Sequence, residues 1–171
     1  FDASFEALSG LNPVTEGGVI TAGNASQITD GAAAVLVCND AGLKKIKCDP
    51  LVKVKGISVV GDDPILMLTG PIPATKKVLN KSKLNIDEIG LYEVNEAFAP
   101  VPLAWEIEVK ADRSKLNVNG GAMALGHPLG ASGAKLMTTL IYEMHRRNEK
   151  YGLQAICEGG GTANATILEK I

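Results

Sequence analysis

Strand-like and helix-like patterns alternate from residue 51 to the carboxyl end, and this alternation constrains the fold more than any other feature. From residue 51, Val52, Val54 and Gly56 alternate with two lysines, which predicts a half-buried strand running to residue 60. Residues 74–82 and 136–147 carry an apolar stripe on one helical face. Short apolar runs at 90–94 and 153–157 predict further strands. Because strands that alternate with helices pack in layers, the sequence predicts an α/β protein with a mixed sheet.

Two more segments bring the predicted sheet to five strands. Residues 34–38 form a short, continuous apolar run of the kind found in buried strands. Residues 162–169 follow the glycine-rich link 158–161, and this spacing is typical of an antiparallel partner for the strand at 153–157.

Composition excludes several classes of function. The chain has 171 residues, of which 46% are hydrophobic and 21% charged, enough for one sizeable core. A net charge of −2 with scattered lysines and arginines argues against nucleic-acid binding. No apolar run approaches the length of a membrane span, and residues 1–4 lack a signal-peptide pattern, so we expect a cytoplasmic protein. The three cysteines form no Cys-x-x-Cys pair, so we expect neither a disulfide framework nor a metal site.

A glycine-dense loop at residues 119–133 contains one imidazole, His127, directly ahead of the helical pattern. Glycines allow the backbone to approach a ligand closely, and clustered N–H groups before a helix favour negative charge. We expect this environment to lower the pKa of His127 and to make the neutral ring a proton acceptor. The alternative is a structural histidine satisfied by hydrogen bonds. The loop lacks Gly-Lys-Ser/Thr and Gly-x-Gly-x-x-Gly, which argues against phosphate binding.

Cys157 and Asn95 each place a polar or reactive side chain at the end of a predicted strand. Cys157 ends an apolar strand and precedes three glycines, whose N–H groups could lower the thiol pKa toward the acid/base range. A lone cysteine there could equally be a small buried apolar residue. Asn95 follows the strand at 90–94, where ligand groups gather in α/β sheets, although Asn95 and Glu96 could instead cap the next helix. Ser26 could cap a helix or contact a ligand.

Taken together, these blocks resemble the motifs of the thiolase family. The matching segments are Asn95-Glu96-Ala97-Phe98-Ala99, the loop from Asn119 to Pro128, Cys157-x-Gly159-Gly160-Gly161, and an earlier stretch at 21–34. The resemblance covers nearly the whole chain, in the family's order and spacing. It implies a thiolase-like half with α/β/α layers, and acyl transfer between coenzyme A and an enzyme cysteine, as 3-ketoacyl-CoA cleavage or Claisen condensation.

The resemblance also implies a role for each matched residue. His127 would activate the nucleophilic thiol and help to form a first oxyanion hole, in which Asn95 holds a water. Cys157 would exchange a proton with the substrate, and the Gly159 N–H would serve a second oxyanion hole. Acyl-CoA would be a substrate, with no permanently bound cofactor. Four residues match positions that line the pantetheine arm of coenzyme A: Ala22, Ser26, Ala97 and Phe98.

Two departures from the family pattern affect these expectations. Thiolases carry their acylated cysteine in a Cys-x-Ser-Gly motif, and no cysteine here has that context. We therefore interpret residues 1–42 as the last elements of a thiolase amino-terminal domain and 43–171 as the carboxyl-terminal domain. Pro100 and Pro102 also predict a late or kinked start for the helix after Asn95.

This interpretation makes the missing amino-terminal half a required partner, and the chain alone should be inactive. Family analogy favours a homo-oligomer. One alternative is a non-catalytic acyl-CoA-binding subunit that completes a site shared with another chain. A ketoacyl synthase relative is less well supported, because such enzymes carry a second histidine where Cys157 stands.

Overall fold

A computed structural model describes residues 3–171 and contains a four-stranded mixed sheet. Its strands are β1 (Val52–Gly61), β2 (Leu91–Val94), β3 (Tyr151–Cys157) and β4 (Thr162–Lys170). They are arranged in the order β1-β4-β3-β2. β4 pairs antiparallel with both β1 and β3, whereas β2 and β3 are parallel. The predicted α/β class and the antiparallel pairing of β3 with β4 are therefore confirmed.

Helices precede, connect and cover these strands. The α-helices are α1 (Phe5–Ser9), α2 (Asp40–Ile46), α3 (Pro71–Ser82), α4 (Pro100–Val109), α5 (Ala122–Leu125) and α6 (Ser132–Arg147). Short 3₁₀ turns occupy Ile86–Glu88, Arg113–Lys115 and Gly159–Gly161. The last turn of α6 carries His145, Arg146 and Arg147, which suit the negative end of the helix dipole.

The larger core lies between one face of the sheet and helices α3 and α4. Val78 from α3 and Trp105 from α4 are fully buried there, together with Tyr92 from β2. The rings of Tyr92 and Trp105 pack edge to face with their centroids 5.3 Å apart. The indole N–H of Trp105 donates to the Thr75 hydroxyl at 2.8 Å, so the aromatic core also satisfies its polar groups.

The opposite face of the sheet packs against α6. Leu140 and Met144 of that helix contact a smaller apolar cluster that includes Leu91 and Leu168 from the strands. Helices therefore cover both faces of the sheet, and the predicted α/β/α layering is confirmed. No helix within residues 3–171 has both the length and the apolar character needed to cross a membrane.

The prediction of a fifth strand at residues 34–38 is wrong. This segment has no regular secondary structure, and its Leu36 and Val37 side chains are 74% and 75% exposed. A strand exists only where a neighbour accepts its backbone hydrogen bonds, and no described strand runs beside this segment. Apolar composition alone does not supply such a neighbour.

The two prolines after Asn95 do not delay α4. Pro100 is the first residue of that helix, where the missing N–H has no intrahelical partner to lose. Pro102 also lies in the first turn, so both prolines are tolerated. The N-cap residue of α4 is Ala99, and among the described residues no side-chain hydrogen bond caps this helix. The alternative that Asn95 or Glu96 serves as its cap is therefore excluded.

Candidate functional site

The predicted site residues gather at the carboxyl ends of the parallel strands β2 and β3. Asn95 directly follows β2, and its backbone N–H donates to the carbonyl of Ala155 at 3.0 Å, which extends the ladder by one residue. Cys157 is the last residue of β3, two positions beyond Ala155. Because the strands are parallel, the side chains that leave them at this edge share one end of the sheet.

His127 lies beside Asn95, although 32 residues separate them along the chain. The Asn95 amide nitrogen Nδ2 is 3.4 Å from the imidazole Nε2. The backbone of His127 is fixed from the other side, since its N–H donates to the carbonyl of Gln27 at 3.1 Å. The structure thus brings together two of the predicted catalytic residues.

Ser132, which the sequence reasoning missed, contacts the other ring nitrogen of His127. Its hydroxyl lies 2.5 Å from Nδ1 and also donates to the Pro128 carbonyl at 3.0 Å. An amide nitrogen only donates, so with this orientation of the Asn95 amide the hydrogen-bond network assigns the ring proton to Nδ1. The contact from Asn95 to Nε2 is long, at 3.4 Å, and engages the Nε2 lone pair only weakly. The signal in the sequence was a serine five residues after His127, at the start of the periodic helix.

The pKa of His127 is lowered, in the predicted direction but for a different reason. Partial burial is the main cause, and the positive charge of Lys135 adds to it. Both effects disfavour the imidazolium form, so the ring is neutral near pH 7 and able to accept a proton.

The expectation for the Cys157 thiol is wrong. Burial raises its pKa, and the negative charge of Glu158 acts in the same direction. A backbone hydrogen bond opposes this shift without cancelling it. Cys157 is therefore a protonated thiol at neutral pH, and Gly159 lies exposed two residues beyond it. The other two cysteines, Cys38 and Cys48, are exposed.

The early segment around Ser26 packs along the chain that follows Asn95. The Ser26 N–H donates to the Ala97 carbonyl at 3.0 Å, and Ala25 forms an antiparallel bridge with Phe98. Three of the predicted pantetheine-lining residues are therefore neighbours, each partly buried: Ser26, Ala97 and Phe98. The fourth, Ala22, lies exposed in the turn that precedes them.

Glu93, which sequence reasoning also missed, is a buried carboxyl two residues before Asn95. It is 2% exposed, and its Oε2 has no hydrogen-bond partner among the described residues. Burial raises its pKa to about 8, with smaller contributions from the charges of Glu96 and Glu143. Gln154 lies opposite Glu93 in the parallel register. Two buried polar side chains therefore lie side by side on β2 and β3, just before the strand ends that carry the site.

No cluster of three or more His, Cys, Asp or Glu residues that could hold a metal ion occurs in the described part of the chain. The imidazole, carboxamide and hydroxyl that contact one another lie instead at the sheet edge where β3 ends in a neutral thiol. Such groups suit proton transfer and the stabilisation of an oxyanion.

Comparison with known proteins gives the chain its family. The family model for the thiolase C-terminal domain matches residues 48–170, and the model for the thiolase N-terminal domain matches residues 1–41. The protein belongs to the thiolase family.

Individual relatives agree with this assignment. A steroid 3-ketoacyl-CoA thiolase of Mycobacterium tuberculosis, FadA6, is 54% identical over 99% of this chain. An acetyl-CoA acetyltransferase of Cupriavidus necator is 44% identical over 98% of it. The crystal structure of human mitochondrial 3-ketoacyl-CoA thiolase superimposes with a TM-score of 0.92 and 43% identity, over 99% of this chain. The same human enzyme has been solved in complex with CoA.

The chain spans less than half of each of these relatives. It matches 42% of the Mycobacterium tuberculosis protein, 43% of the Cupriavidus necator protein and 43% of the human chain. The matched part contains the Asn95, His127 and Cys157 motifs, and it has no Cys-x-Ser-Gly motif.

Proposed function

We propose that the protein contributes the proton-transfer half of a thiolase site, for acyl transfer between coenzyme A and an enzyme cysteine. The observation that carries this proposal is the pairing of Asn95 with His127 at the sheet edge where β3 ends in Cys157. The nucleophilic cysteine would come from an amino-terminal half. Residues 1–42 would belong to that domain, and residues 43–171 would form the carboxyl-terminal domain, a division supported by the two matched ranges.

The geometry supports a general-base role for His127. Its unprotonated Nε2 would accept the proton of the nucleophilic thiol, and the resulting imidazolium would then donate to the developing oxyanion. Asn95 is 1% exposed, and its Oδ1 lacks a hydrogen-bond partner among the described residues, so this oxygen would accept from the water of the first oxyanion hole.

The protonated state of Cys157 supports a role as a proton donor. A thiol with a raised pKa would give its proton to an α-carbanion in the cleavage direction. Only a strong base such as an enolate would remove this proton. The Gly159 N–H would stabilise the thioester oxygen. Coenzyme A would lie along the packed segments at Ser26 and Phe98, as a substrate and not as a resident cofactor. The cytoplasmic location and the homo-oligomer stay predictions.

A thiolysis assay with acetoacetyl-CoA and coenzyme A tests the proposal. We expect no turnover from the chain alone, because the nucleophile is absent. Fusion behind the amino-terminal half of the Cupriavidus necator enzyme should give activity, and His127→Ala in the fusion should abolish it. His145→Ala is the matched control, because that histidine contacts the Leu51 carbonyl near the far end of α6.

Two results would contradict the proposal. One is turnover by the chain alone at the rate of an intact thiolase. The other is a His127→Ala fusion as active as its parent. A folded chain that binds acyl-CoA, with a fusion that never turns over, would instead favour the non-catalytic binding subunit.

A further inference from the structure

The loop that carries His127 contains a helix too short to be stable by itself. Helix α5 has four residues, and Gly126 and His127 follow it directly. Isolated helices of this length do not persist in water, because the entropy lost on forming the first turn exceeds the stabilisation from its hydrogen bonds. Its N-cap residue is Gly121, which has no side chain to satisfy the first N–H groups. Groups from elsewhere must therefore hold α5 in place.

At the amino end of α5, the carboxylate of Glu96 takes the place of a capping side chain. Its Oε2 accepts from the Met123 N–H at 3.1 Å, and its Oε1 accepts from the Asn117 side-chain amide at 2.8 Å. The Asn117 side chain also bonds both the N–H and the carbonyl of Val94, each at 2.9 Å. Glu96 thus connects the first turn of α5 to the strand that delivers Asn95.

At the carboxyl end of α5, the ammonium of Lys135 binds the terminal carbonyl groups. Its Nζ donates to the carbonyl oxygens of Leu125 and Gly126, each at 2.8 Å. Lys135 lies on α6, one turn from the Ser132 that contacts His127. A carboxylate at the amino end and an ammonium at the carboxyl end are the signs that the helix dipole favours.

We infer that Glu96 and Lys135 are positioning residues, which hold α5 at its two ends and so fix the imidazole of His127 against Asn95. The two charges come from different elements on opposite sides of the loop, and each makes two hydrogen bonds. The catalytic meaning of this arrangement rests on the proposed role of His127 as a base. The role of Glu96 and Lys135 in holding α5 does not depend on that function, and the NMR experiment requires no turnover.

The test is NMR of the 171-residue chain, labelled with ¹⁵N-histidine for the titration and uniformly with ¹⁵N for amide exchange. The chain has two histidines, so His145 serves as an internal reference. In Lys135→Met, we expect the pKa of His127 to rise, since a nearby positive charge that lowers it is removed. In Glu96→Gln, we expect the Met123 amide to exchange with solvent about tenfold faster, which corresponds to about 1.4 kcal/mol.

Matched controls make the same chemical changes elsewhere. Lys115→Met removes an ammonium that donates to the Ile89 carbonyl at 3.1 Å. Glu88→Gln neutralises a carboxylate that accepts from the Asn85 N–H at 2.8 Å, at the start of a 3₁₀ turn. Neither control should change the imidazole signals of His127. Lys135→Arg keeps the charge and should restore the wild-type titration.

The inference is overturned if both test variants leave the His127 titration and the Met123 exchange rate as in the wild type. It is also overturned if the signals of His145 change as much as those of His127, because that would indicate a general loss of structure. Failure of the proposed function is a separate outcome, namely an active His127→Ala fusion while the NMR changes expected for Lys135→Met and Glu96→Gln are observed.

Discussion

Substitution of Gly121 by alanine should destabilise the loop through one steric contact. A Cβ at this position would lie 2.0 Å from Glu96 Cδ and 2.3 Å from each carboxylate oxygen, so Glu96 must turn away. The backbone itself allows alanine, since φ is −106° and ψ is −160°. The cost therefore comes from the displaced carboxylate, which loses its bonds to Asn117 and Met123.

The size of the effect follows from those two bonds. A hydrogen bond to a charged group is worth about 1.5–3 kcal/mol, and the partly buried Glu96 regains some solvation by turning outward, so we expect a loss of about 2–4 kcal/mol. For a chain of this size, each kcal/mol lowers Tm by about 2–4 °C, so Tm should fall by about 4–16 °C.

Thermal unfolding followed by circular dichroism measures this change. Gly130→Ala is the control, because a Cβ there meets nothing within 4 Å. A double-mutant cycle with Glu96→Ala isolates the contact, since Gly121→Ala should cost much less when the carboxylate is absent. The reasoning is refuted if Gly121→Ala lowers Tm no more than the control, or if the two substitutions are additive.

Three further predictions concern groups near the site. Burial raises the pKa of Glu93 from 4.5 to about 8, so the folded chain holds this proton more tightly than the unfolded chain does. The stabilisation is complete below pH 4.5, and the free energy of unfolding should fall as the pH rises to about 8. Urea titrations of Glu93→Gln should lack this decrease. Iodoacetamide at pH 7.5 should alkylate Cys157 more slowly than the two exposed cysteines, as peptide mass spectrometry would show; equal rates would contradict its partly buried, protonated state. Ser132→Ala should move the proton of His127 from Nδ1 toward Nε2, and unchanged imidazole ¹⁵N shifts would contradict the tautomer assignment.

Sequence patterns predicted the layers of the fold because the apolar stripe of α6 coincides with its buried face, which is what periodicity reports. The strand β1 was predicted correctly, but its buried positions are Gly56 and Ser58, whereas Val54 and Ile57 are each 48% exposed. Residues 34–38 show the limit of that reasoning. Their apolar run has the composition of a strand, but pairing depends on a neighbouring strand that a local window does not contain.

Only those site residues that belong to a local sequence motif could be predicted from the sequence. Asn95, His127 and Cys157 each belong to a local pattern, whereas the roles of Glu96 and Ser132 depend on contacts with other elements. The error for the Cys157 pKa has the same origin. Three adjacent glycines are visible in the sequence, but the burial that dominates its pKa comes from packing between the strands and the helices.

The edge where β2 and β3 end is assembled from segments far apart along the chain. Asn95 and His127 are 32 residues apart, and the segment at Ser26 adds a contact of still longer range. The sheet itself depends on contacts of comparable or longer range, since β1 pairs with β4 (Val52 with Lys170) and β2 pairs with β3 (Leu91 with Gly152). Sheet and site therefore both require the entropy of closing large loops to be overcome, and neither is a local structure. Recovery of the His127 signals during refolding should coincide with recovery of the Trp105 fluorescence.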